Sequence, residues 1–460
     1  MTVSLGAPTK KQISRVARLA MCLVLCLSAF IQLTVASRSE SDSPLTADAG
    51  RYFSYAYNVQ QFGVYSSQIT WDPAQAEGPL RPDAIRTPGY PLFLMLFPDV
   101  QPTTDFVRLV TFVQALIGIA SVLLTYLVAV RVVPPMAAAG ASLLAALSPH
   151  LATISTDILS ESLFVFVLLV AAYFSIRAIE TRRPLTIVAA GFSWGFCALV
   201  RPTAEFFPIL VMAAFLLVPR LRPDLKLASL FVATFLAVLS PWIIRNHFSV
   251  TEASSDRLAI NFLHHGSYPD FMFDGRPETL GFPYRYDPES AEIGSSVTRA
   301  VLNIRDNFRR DPITNVRWFL VGKPISFLSW NIVNGQGDIF TTRPARSPYL
   351  DDRLFAATRD FMWILHWPLM LLGLLGAATA WVKPHWIATN EASINGARFI
   401  SAVVAYAIAL HMVGTPFPRY GIPFRPLLYI LAVSVLVAGV RAGVGRLKRR
   451  REGVNSAAHL

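Results

Sequence analysis

Three acids and three arginines stand out for the company they keep. Asp48 lies in "LTADAGRYFSYAYNVQQFGVYS", Asp157 and Glu161 in "SPHLATISTDILSESLFVF", Arg86 in "RTPGYPLFLMLF", Arg245 in "SPWIIRN" and Arg419 in "PRYGIPFRPLLYILA". All of them flank long apolar runs. Ionisable groups beside a membrane are costly unless paired or wet, so their placement carries information. A carboxylate within reach of a hydroxyl can take its proton, and guanidiniums converging on one face match the oxygens of a phosphate. Asp157 and Glu161 are four apart and would share a face at a helix start, where they serve either chemistry or simple charge compensation of the helix dipole. Arg201 and Arg245, taken singly, also read as interfacial anchors.

The elements that must position these residues follow from composition. The chain has 460 residues, 53% of them hydrophobic and 15% charged, with a mean hydropathy of +0.45. These values describe an all-α polytopic membrane protein. Apolar stretches long enough to cross a bilayer predict about ten transmembrane helices, near 17–36, 105–130, 136–151, 159–178, 185–200, 204–219, 226–244, 358–381, 398–414 and 422–441. Short basic stretches alternate between the gaps: Lys10, Lys11, Arg15 and Arg18, then Arg131, then Arg177, Arg182 and Arg183, then Arg220, Arg222 and Lys226, then Lys383, then "RLKRRREG". By the positive-inside rule that side is cytoplasmic, which places both termini inside and the acids and arginines named above outside. The net charge of +12 is therefore a topology signal, and nucleic acid is not an expected partner.

Four regions result. Residues 1–244 form an N-terminal membrane module of about seven spans, with a first external loop at 37–104. An extracytoplasmic region follows at 245–357, then a C-terminal module of about three spans at 358–445 and a basic cytoplasmic tail at 446–460. The N-terminal apolar run nearly reaches the length of a span and reads as an uncleaved anchor rather than a signal peptide. In the 245–357 region, "SSVTRAVLNIRDNFRRDPITNVRWFLVGKPISFLSW" repeats apolar positions at three- and four-residue spacing among arginines, predicting amphipathic surface helices with Trp318 and Trp330 at the headgroups. Cys22, Cys26 and Cys197 fall in apolar runs without disulfide or metal spacing.

Other motifs carry less. "GFSWG" (191–195) matches the G-x-S-x-G of hydrolases, but it sits inside an apolar span and reads as a small-residue helix-packing surface. His264 and His265 are adjacent and lack a nearby ligand cluster. No phosphate-binding glycine loop of the nucleotide-dependent kinds appears.

In order and spacing, these pieces resemble the GT-C superfamily of integral-membrane glycosyltransferases, most closely its protein-mannosyltransferase and aminoarabinose-transferase branch. The resemblance runs through "DAGRYFSYAYNV", "RTPGYPLFLMLF", "SPHLATISTDILSESLFVF", "GFSWGFCALVRPT", "SPWIIRN" and the late "PRYGIPFRPLLYILA". It implies a GT-C-type fold whose substrate is a polyprenyl-phosphate-linked sugar, with transfer on the extracytoplasmic face of a bacterial inner or plasma membrane to a lipid, protein or polysaccharide acceptor. Asp48 becomes the catalytic residue of the first loop, acting as general base or positioning a divalent cation. Arg86, Arg245 and Arg419 become donor phosphate-binding residues, and Glu161 with Asp157 supports the site or a metal. Tyr52, Tyr55, Tyr90 and Tyr420 are candidate sugar or lipid contacts, although an interfacial aromatic belt explains such tyrosines equally well. The aminoarabinose-transferase branch carries a basic-Pro-Pro motif where this chain has "RTPGYP", which argues against aminoarabinose as the sugar.

A transporter or lipid flippase would place polar groups at mid-depth on broken helices; the ionisable groups here gather at the outer ends of the spans instead. A non-catalytic scaffold of an envelope glycan assembly would leave them scattered. Whether Asp48, Glu161, Arg86 and Arg245 meet in one cavity separates these readings.

Overall fold

The computed structural model describes residues 10–74, 78–210, 212, 225–250, 257–332 and 338–457. In chain order the principal helices are α1 (Lys10–Arg38), α2 (Ala47–Phe62), α3 (Gly89–Leu94), α4 (Thr104–Ala129), α5 (Pro135–Leu147), α6 (Pro149–Thr153), α7 (Glu161–Thr181) and α8 (Pro184–Val200). They continue as α9 (Leu225–Ser249), α10 (Arg257–Gly266), α11 (Val297–Arg310), α12 (Pro312–Arg317), α13 (Lys323–Leu328), α14 (Arg353–Val382), α15 (Glu391–Val413) and α16 (Arg425–Ala457). Among the described residues there is no strand, only an isolated bridge between Glu40 and Arg346.

Seven helical segments are long and apolar enough to cross a membrane. They are α1 from Arg15, α4, α7, α9, α14, α15 and the stretch Pro418–Val444. Two shorter apolar helices, α5 and α8, fall where two more spans were expected. Half of the remaining expected span, 204–219, lies outside the described residues. α1 shows how such a helix is used. Ala17, Met21, Val24, Ile31 and Val35 are buried against the protein, while Leu19, Leu23 and Phe30 stay exposed, so its second apolar face suits lipid rather than water.

The expected span 136–151 is interrupted. α5 stops at Leu147, Ser148 takes ψ 111°, and α6 restarts at Pro149. Proline disfavours the helical conformation in the residue before it and lacks the N–H that would continue the ladder, so "SP" divides the run. From α6 to the start of α7 the backbone leaves a continuous helix ladder, and its buried polar groups need partners. Two buried glutamines supply them. Gln32 of α1 donates to Leu151 O at 3.3 Å and accepts from Ser155 Oγ at 3.2 Å. Gln114 of α4 donates to Ser155 O at 3.0 Å and to Asp157 O at 2.8 Å, and accepts from the Tyr90 hydroxyl at 2.8 Å.

"GFSWG" packs helices. A Cβ on Gly191 would lie 2.6 Å from the Phe231 carbonyl oxygen and one on Gly195 2.7 Å from Val238 Cβ, so α8 and α9 approach more closely than side chains would allow. Between α9 and α14, α11 carries Arg299, Arg305, Arg309 and Arg310 on its exposed side. The tryptophans differ from expectation: Trp318 and Trp330 are 3% and 7% exposed, and their indole N–H groups donate to Gly266 O at 3.0 Å and Asp338 Oδ1 at 2.6 Å. A buried indole needs such an acceptor, and these two hold the region's interior together instead of anchoring it to headgroups.

Candidate functional site

Each charged residue of the site stands where a helix begins or ends. Asp48 is in the first turn of α2 and Glu161 opens α7, positions where the helix dipole favours a carboxylate. Arg201 caps the end of α8 in an extended conformation, with Pro202 behind it. Arg419 occupies the short turn Pro418–Gly421 that leads into α16. Arg86 lies just before α3, held there because Thr87 Oγ1 donates to Val200 O at 3.3 Å. Gly89 makes this possible: a Cβ there would meet the Leu199 carbonyl and Val200 N at 2.7 Å, so the start of α3 lies against the end of α8.

These five residues form one ionic chain. Arg86 Nη2 lies 2.7 Å from Asp48 Oδ1, and Arg419 Nη2 lies 2.7 Å from Asp48 Oδ2. Arg419 Nε reaches Glu161 Oε1 at 3.0 Å, and Arg201 Nη1 approaches the same oxygen at 2.8 Å. Three guanidiniums therefore face two carboxylates, leaving one positive charge uncompensated within the cluster. Glu161 is 2% exposed, and its Oε2 finds no hydrogen-bond donor among the described residues. Burial alone would raise the Asp48 carboxyl, but the Arg419 and Arg86 charges outweigh it and hold the group well below the usual carboxylate range. Tyr420 lies under Arg201 at 4.7 Å, and Arg86 sits over Tyr52 at 6.0 Å.

A cavity opens beside Asp48. Its lining includes Ser43, Thr46, Asp157, Thr341, Thr342 and Arg419, so the segments that precede α2 and α14 both contribute. The Glu40–Arg346 bridge ties those two regions together next to it.

Asp157 does not share a helical face with Glu161, because α7 begins only at Glu161 and Asp157 belongs to the preceding turn. It reaches the site as a cavity-lining carboxylate instead. Arg245 stands apart from the ionic chain. Its guanidinium donates to Asp83 O at 2.7 Å and Tyr65 O at 3.0 Å and packs against Tyr65 and Trp242. Its forks are taken by backbone carbonyls, so it braces the segment between α2 and α3. Tyr55 and Tyr90 are both fully buried, the first bonded to Asp83 and the second to Gln114; neither is open to a sugar or lipid. Tyr52 and Tyr420 are half-buried at the site. Arg51 is exposed, and the partners of Asp48 are Arg86 and Arg419. Arg201 belongs to the cluster although its sequence context supports an interfacial anchor equally well. The signal it carried was "LVRPT", a charge ending an apolar run directly before a proline.

A divalent cation is poorly served here. Each Asp48 oxygen already takes a guanidinium and Glu161 Oε1 takes two, whereas a hard cation needs several oxygens facing it together. Among the described residues no group of three or more His, Cys, Asp and Glu side chains has metal-binding geometry. His264 and His265 are engaged elsewhere, with the Tyr268 hydroxyl at 2.8 Å and Gly281 O at 3.0 Å.

Residues 86–244 match the family model of dolichyl-phosphate-mannose-protein mannosyltransferases. Among solved structures, the archaeal oligosaccharyltransferase AglB from Archaeoglobus fulgidus, in complex with an inhibitory peptide and a dolichol-phosphate, is similar at a TM-score of 0.51 and 14% identity, over 96% of this chain and 52% of that one. ArnT from Cupriavidus metallidurans bound to undecaprenyl phosphate gives a TM-score of 0.40 at 16% identity, over 86% of this chain and 76% of that one. The chain thus spans about half the length of AglB. No curated protein matches it. At these identities the likeness is one of fold.

Proposed function

Taking the chain as a member of the GT-C superfamily, whose membrane fold it has, we propose that it is a glycosyltransferase moving a sugar from a polyprenyl-phosphate carrier to an acceptor hydroxyl at the extracytoplasmic face. The observation that carries this reading is the convergence of Arg86, Arg201 and Arg419, from three separate segments, on Asp48 and Glu161 beside a hydroxyl-lined cavity. Breaking the bond from sugar to phosphate leaves a second negative charge on the departing polyprenyl phosphate. Preorganised guanidiniums stabilise that charge most where it develops. The two carboxylates keep the arginines in place while the uncompensated positive charge awaits the phosphate. Direct attack by the acceptor from the opposite face inverts the anomeric centre. A scaffold would leave these charges scattered, and a transporter would place them at mid-depth.

Binding of undecaprenyl phosphate to purified protein in micelles tests the phosphate assignment. Arg419→Gln is expected to weaken it by about tenfold or more, the ~1.5–3 kcal/mol of a charge-assisted hydrogen bond. Arg245→Gln should weaken it far less. Equal losses in the two variants would argue against this site.

A further inference from the structure

Asp48 is the residue that the family resemblance makes the base, yet its geometry suits it poorly. A base needs affinity for the proton it takes, and two guanidiniums against one carboxylate reduce that affinity. Both Asp48 oxygens accept from guanidiniums at 2.7 Å, and an aspartate held well below the usual range has little affinity for a proton. Glu161 is buried behind it and already paired with Arg201 and Arg419.

We propose that Asp157 is the general base, taking the proton from the acceptor hydroxyl, while Asp48 is a positioning residue that fixes Arg86 and Arg419. This rests on the reading of the protein as a polyprenyl-phosphate-dependent transferase. Asp157 lines the same cavity as Asp48 and Arg419, among the hydroxyls of Thr46, Thr341 and Thr342, and makes no ion pair among the described residues. Its backbone is fixed by Gln114 from α4. The groups that face it are Glu161 from α7, Arg419 from the turn before α16, Asp48 from α2 and Tyr90 from α3. Burial pushes its carboxyl up to about 7; the Thr341 hydroxyl pulls it down, the Glu161 charge adds to the rise, and Arg419 pulls down least. Two carboxylates with divergent environments are how one site divides its roles, and a base titrating near the working pH is the more effective of the pair.

The step balances. The acceptor oxygen forms its bond to the anomeric carbon as its proton passes to Asp157. The bond from anomeric carbon to phosphate oxygen breaks, and its electron pair leaves with the polyprenyl phosphate toward the arginines. Asp157 then releases the proton to solvent.

Two measurements on wild type, Asp157→Asn, Asp157→Glu and Asp48→Asn test this, with a monodisperse gel-filtration profile and cooperative thermal unfolding in micelles as the check that each variant is folded. The first is an infrared pH titration of the carboxyl C=O band, which needs no sugar substrate. A band lost as pH rises through about 7 is expected in wild type and Asp48→Asn and absent from Asp157→Asn. The second is the pH dependence of transfer from undecaprenyl-phosphate [14C]mannose and [14C]arabinose to membrane acceptors. Activity should fall below the same pH in wild type, and Asp157→Asn should lose about 10²–10⁴-fold in kcat with that acidic limb abolished. Asp157→Glu should restore part of the rate, and Asp48→Asn should act mainly through donor KM. A titrating band that survives in Asp157→Asn, or an acidic limb that vanishes only in Asp48→Asn, overturns the assignment. Wild-type protein that binds undecaprenyl phosphate but transfers neither sugar, with the band present, counts against the transferase reading instead.

Discussion

Arg419 is held from two sides, by Asp48 through one nitrogen and by Glu161 through another. Only a planar guanidinium can do both, so Arg419→Lys should not be a conservative change: we expect loss of donor binding even though the charge is kept. Glu161→Gln removes a buried charge and leaves Arg201 and Arg419 without their shared anion. Breaking such a pair costs about 3–5 kcal/mol, and thermal unfolding in micelles should show it. Lys323 makes a different test. It is fully buried, its ammonium donates to Val413 O at 3.1 Å, and burial pulls its pKa down to about 6. Between about 6 and 10 the unfolded lysine binds more protons than the folded one, so folded-state stability should rise with pH across that window. Lys323→Met should flatten that rise, as chemical denaturation at several pH values would reveal. The charged residues at this scale were legible in the sequence because charge beside a membrane is costly and therefore placed. Asp48, Arg86, Glu161 and Arg419 were found that way. Arg201 was ambiguous with an anchor, and Tyr55 and Tyr90 were assigned to the wrong surroundings, since α2 and α3 carry aromatic residues on several faces and only packing decides which meet the cavity.

Helix ends do the positioning. The contact of α3 with α8 places Arg86 near Arg201, and it depends on the missing side chain of Gly89. Gly89→Ala forces that backbone contact apart, at about 1–3 kcal/mol for overpacking, and should weaken undecaprenyl phosphate binding although no site residue changes. Gln114 supports the other wall; Gln114→Leu leaves the carbonyls of Ser155 and Asp157 and the hydroxyl of Tyr90 without their partner. Apolar runs were legible to within a few residues for α4, α9 and α14. They were not where proline intervenes, because hydropathy across 136–151 continues through Ser148 and Pro149 although the helix does not. Trp318 and Trp330 were misplaced for a related reason: an indole suits a headgroup or a buried acceptor equally well until the fold supplies the acceptor.

For the molecule as a whole, the membrane class was read from composition, and the alternation of basic loops gives the expectation that the charges lie at the outer face. The cavity was not, because it needs residues some 300 positions apart, Ser43 and Thr46 beside Thr341 and Thr342, and no local pattern encodes that meeting. The basic alternation leads us to expect both termini in the cytoplasm. With Cys22, Cys26 and Cys197 replaced, a membrane-impermeant maleimide should label Ser41→Cys in intact cells and label Ser456→Cys only after permeabilisation. The central claim is that the arginine–carboxylate chain serves transfer from a lipid-linked sugar. Its most direct test is to reconstitute wild-type and Arg419→Gln protein in liposomes with undecaprenyl-phosphate [14C]mannose or [14C]arabinose and the cell's own envelope fraction, and to follow the label. We expect label to move to an acceptor with wild-type protein and to remain on the carrier with Arg419→Gln. No transfer by well-folded wild-type protein that binds the carrier, or equal transfer by both proteins, would contradict the claim.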